Sequence, residues 1–85
     1  MSVTVNKAAI EEAINEQIRI YEIKLQEQMI LMGDIKKDTK DARAKGQIEL
    51  VTTLRRDRAV CSAKMVMYMQ AQSDIDSLLD VIYEA

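Results

Sequence analysis

A chain of 85 residues with one cysteine, no histidine and a net charge of −2 makes a single small domain. An internal disulfide is excluded, and an ordinary zinc site has too few ligands. With 48% hydrophobic and 31% charged residues, no proline, no Phe or Trp and two glycines, the composition is that of helical bundles and coiled coils.

Domains this small need reinforcement, and with disulfide and zinc set aside, self-association remains. No apolar run approaches the ~18 residues of a membrane span. No signal-peptide pattern is visible either, so the single thiol reads as that of a cytoplasmic protein.

Residues 1–6 form a lead-in. Ser2-Val3-Thr4-Val5 alternates polar and apolar and has the pattern of a short added strand. Asn6 is a good N-cap, Val5 is placed to pack over Ile10, and Glu11 and Glu12 lie near the helix start, where acids favour the dipole.

A first helix is predicted over 7–44. Its apolar seam runs Ile14, Ile18, Tyr21, Leu25, Gln28, Met32, Ile35, Thr39 and Ala42, in steps of four and three. Gly33 interrupts it at a cost of about 1 kcal/mol relative to alanine, as a tolerated defect, a break or a point of close helix contact. A turn at 45–47 follows, with Gly46 in the left-handed position that ends a helix.

The second helix is predicted over 48–83. Its seam is Val51, Leu54, Arg58, Cys61, Met65, Tyr68, Gln72, Ile75, Leu79 and Ile82. A three-residue turn makes the helices antiparallel neighbours. Pairing the seams one to one sets Met32 against Cys61, Leu25 against Tyr68, Tyr21 against Gln72 and Ile18 against Ile75. Arg58 then faces Ile35 and falls near Asp34 and Asp38. Each helix is about 50–55 Å long at about 1.5 Å per residue. The predicted fold is all-α: a long, coiled-coil-like hairpin that self-associates into a bundle or stacked assembly.

Self-association is expected because apolar residues also lie off the seams. They are Ile20, Ile23, Ile30 and Leu31 on the first helix, and a second stripe of Val66, Met67, Met69, Leu78 and Val81 on the second. A lone hairpin leaves these in water. They are the candidate interface for a second copy or another helical protein.

Charge is uneven. Between Asp34 and Arg58 eight basic residues (Lys36, Lys37, Lys40, Arg43, Lys45, Arg55, Arg56, Arg58) meet five acidic ones (Asp34, Asp38, Asp41, Glu49, Asp57), a balance of +3 against −5 for the remainder. The turn end is basic. Arg55, Arg56, Arg58 and Lys64 are candidate contacts for an anionic ligand or a membrane headgroup, since guanidinium groups suit phosphate and carboxylate. Nucleic acid is disfavoured, because acids dilute the basic end and no aromatic there offers stacking.

Catalytic machinery is not evident. Histidine, the commonest general base, is missing, and Cys61 sits in the seam as a small core residue. No glycine-rich phosphate loop occurs, and the six methionines suit a core or an adaptable groove. A non-enzyme without cofactor or metal is expected.

The turn and second helix, Lys45-Gly46-Gln47-Ile48-Glu49-Leu50 through Leu54-Arg55-Arg56-Asp57-Arg58 to Tyr68-Met69-Gln70-Ala71-Gln72-Ser73-Asp74-Ile75-Asp76, resemble the first helical hairpin of ESCRT-III proteins. The likeness lies in a short basic turn, a Leu/Arg-rich start to the second helix and the regular seam after it. The first helix matches in length only and is neutral where that family's is basic. The resemblance implies a hairpin that packs side by side with copies of itself into membrane-remodelling filaments. Three functions are thus expected in order: a self-associating scaffold or interaction module, a small regulatory or inhibitory oligomer that binds an anionic ligand or partner, and a chaperone for a client helix.

Overall fold

The computed structural model describes residues 6–84, so the expectations for Ser2–Val5 and for Val5 over Ile10 lie outside the described residues. Two helices account for nearly all of them: α1 (Lys7–Ala44) and α2 (Ile48–Glu84). They form an antiparallel hairpin measuring 71 × 19 × 14 Å.

Asn6 caps α1 as expected, its Oδ1 accepting from the Ala9 N–H at 3.2 Å. No acid falls in the first turn, so Glu11 and Glu12 sit beyond the reach of the dipole effect. Helix α1 runs unbroken through Gly33, whose missing Cβ faces open space with nothing within 4 Å. At the other end the Gly46 N–H donates to the Arg43 carbonyl and the Gln47 N–H to the Ala42 carbonyl. With Gly46 at φ +69°, this is a Schellman turn.

Both seams are buried or half-buried at every predicted position except Arg58. The polar seam residue Thr39 donates to the Ile35 carbonyl one turn back, at 2.6 Å. The densest packing lies toward the turn, where Ile35, Ala42, Leu54 and Cys61 form a core flanked by Met32, Val51 and Met65. Farther out, Ile14 alone is buried among the described residues.

The one-to-one pairing is corrected. Tyr68 meets Tyr21, with ring centroids 5.9 Å apart, and the Gln72 amide donates to the Ile18 carbonyl at 3.3 Å. Each partner lies one seam step nearer the N-terminus than expected, because knobs seat between residues of the facing helix and not on top of them. Arg58 is corrected too. It is exposed and makes no ion pair among the described residues, its long side chain carrying the charge out of the seam.

Candidate functional site

Each seam consists of two columns with a seven-residue spacing, and cross-helix contacts join like to like. Gln72 reaches Ile18 on one side, and the Cys61 thiol donates to the Gln28 carbonyl at 3.2 Å on the other. The hairpin is thus a ribbon with two broad faces, named here for the side chains that bridge them.

On the Gln72 face, a groove of about 270 Å³ beside the turn is lined by Arg43, Ile48, Val51, Thr52 and Arg55. Toward the open end the same face carries a groove bounded by Ile18, Met69, Gln72, Ser73 and Asp76. At the tip of the hairpin the Tyr83 hydroxyl donates to Glu11 at 2.6 Å. That bond to a carboxylate, with some desolvation and the negative charge beside it, raises the phenol above its ordinary 10.0.

The Cys61 face differs. Its groove beside the turn is lined by Asp38, Asp41 and Lys45 with Leu50 and Leu54. A second, of about 260 Å³, has Gln28, Leu31, Ile35, Asp57, Val60, Cys61 and Lys64 as its walls. The Gln28 Oε1 is buried without a hydrogen-bond partner, while the Lys24 ammonium lies 5.8 Å from the Tyr68 ring centroid. Cys61, 2% exposed, is a core residue.

The acids at the turn end therefore line the Cys61 face, together with Lys45, and the charged residues of the Gln72-face groove are arginines alone. Asp38 and Asp41 stand on one, Arg43 and Arg55 on the other. Among the described residues the one ion pair is Arg19–Glu16, within a single helix and fully at the surface.

The predicted interface residues are exposed, from Leu31 at 45% to Ile30 at 69%, except Ile20, which is half-buried. They do not form one stripe. The helical repeat puts Val66 and Met69 on the Gln72 face and Leu31, Met67, Leu78 and Val81 on the Cys61 face. Ile23 and Ile30 run along the back of α1. Sequence reading passed over Met29, Val60, Ile48 and Leu50, which are also exposed. Their off-seam phase was the available signal.

The predicted anion cluster is likewise divided. Arg55 lines the Gln72-face groove with Arg43, whereas Lys64 lines the Cys61-face groove beside Asp57. Arg56 is exposed one residue farther round the helix than Arg55, and Arg58 is exposed on the Gln72 side.

Among the described residues no helix is long and apolar enough to cross a membrane. No family model, no curated protein and no solved structure matches the chain.

Proposed function

We propose that the protein is a non-enzymatic helical scaffold whose working state is an assembly of copies of itself. One observation carries this reading: among the described residues fourteen large hydrophobic side chains are exposed, against a buried core of only Ile14, Ile35, Ala42, Leu54 and Cys61. The accessible surface of 6746 Å² exceeds the roughly 5,100 Å² of a compact monomer of this mass. Apolar exposure on that scale, spread along a rod, is what pairing with a second rod removes.

The test is absolute mass in solution of the parent chain and of a Val66→Glu/Met67→Glu variant, with helicity followed by circular dichroism. The reading expects an oligomer for the parent, and a smaller species with helicity kept for the variant. Equal masses would mean that these side chains lie outside the interface. An ordered state reached only with a foreign helix would favour a client-binding chaperone.

A further inference from the structure

Resting on that reading, we infer that two hairpins pair antiparallel through their Gln72 faces, about a two-fold axis near mid-rod. The charge order along this face carries the argument. In α1, Glu22, Met29, Lys36 and Arg43 occupy one column at seven-residue steps, passing from acid through apolar to base toward the turn. In α2, Arg55, Ser62, Met69 and Asp76 occupy the facing column and pass from base through small and apolar to acid away from the turn.

Since the helices are antiparallel, the basic ends of the two columns coincide at the turn. Base lies at the turn end of both columns and apolar residues toward the middle, where Glu22 also sits beside the Tyr21–Tyr68 contact, while Asp76 places acid at the open end. In the neighbouring columns Lys40 of α1 adds a base toward the turn and Asp80 of α2 an acid at the open end, with Val66 between, while Arg19 in the open half is held by Glu16.

A face ordered in this way is complementary to itself only when one copy is turned end for end. Arg43 and Arg55 of each hairpin then approach Asp76 and Asp80 of the other, while Met29, Val66 and Met69 meet at the centre. Parallel stacking of two Gln72 faces sets base on base and acid on acid, at a cost. A two-fold contact is also isologous and closes, giving a four-helix bundle and not a fibre.

The size is sufficient. A face 71 Å long and 19 Å across offers on the order of 1,000 Å² per copy, above the ~800 Å² per partner of a standard interface. The Cys61 face lacks this order, because Asp38, Asp41 and Asp57 mix with Lys45 and Lys64 along it and its open end shows Leu78 and Val81, with Lys24 over the Tyr68 ring near mid-rod.

The test is energy transfer between copies in a Cys61→Ala background, with dyes at Gln47→Cys near the turn or Ser77→Cys near the open end. Mass is measured on the same samples. Antiparallel pairing predicts strong transfer when turn-labelled chains are mixed with open-end-labelled chains, and loss of transfer when both are labelled at the turn. An assembled species with strong turn-to-turn transfer would overturn the antiparallel arrangement while leaving self-association intact. A monomeric mass with no transfer in any mixture would overturn the reading beneath it.

Discussion

Arg43 and Arg55, from different helices, line one groove beside the turn, and neither has an ion-pair partner among the described residues. Two cations held together on a rod with acids at its other end form half of a contact. In the proposed pair, Asp76 and Asp80 of a second copy supply the other half. Arg43→Glu with Arg55→Glu is therefore expected to weaken association by on the order of tenfold or more. Mixing that variant with Asp76→Lys/Asp80→Lys chains restores it, as sedimentation of the mixture would show. A mixture as weak as the single variants would remove these residues from the contact.

The two glycines predict opposite outcomes. A methyl at Gly33 meets nothing within 4 Å, so Gly33→Ala gains helix propensity worth about 1 kcal/mol. Gly46 holds φ +69°, and Gly46→Ala there costs about 1–2 kcal/mol. Thermal melts at matched concentration measure both. A destabilised Gly33→Ala would show that a second hairpin packs closely over this position of the Gln72 face, leaving no room for the methyl.

Gln28 carries an orphaned side-chain oxygen in the seam. An unmet buried acceptor costs about 1–3 kcal/mol, and methionine fills similar space without a strong polar atom. Gln28→Met is expected to raise stability by about 1 kcal/mol in urea titrations. A loss would indicate that the amide has a partner in solution.

The Tyr83–Glu11 bond gives a pH signature. Its phenol is raised above 10.0, so the folded state favours the protonated form. This contribution is fully present below pH 10.0 and is lost as pH rises through the higher folded value. Ring-carbon NMR is expected to show Tyr83 titrating above 10.0, with the elevation reduced in Glu11→Gln. An unchanged midpoint in that variant would remove Glu11 as the main cause.

The seams were legible because a three-and-four rhythm is local information, and Gly46 marked the turn by its conformational requirement alone. Pairing was not legible to the same precision. Whether Tyr68 meets Leu25 or Tyr21 depends on how knobs seat between residues of the other helix, which no single-helix pattern encodes. Off-seam hydrophobics such as Val66 and Met67 were visible as exposed, yet adjacent numbers put them on opposite faces. Only the contacts of Gln72 and Cys61 across the ribbon define those faces. Arg58 follows the seam rhythm, yet its long side chain carries the charge outward and no ion pair forms with Asp34 or Asp38.

Absolute mass by light scattering, at low and at high salt, tests the central claim most directly. Pairing through ordered charges and an apolar centre predicts a discrete species of twice the 9.7 kDa chain mass. It should shift toward monomer as salt shortens the screening length below ~8 Å. A well-folded monomer at every salt concentration would contradict self-association. Species that grow without limit would contradict the closed two-fold pair.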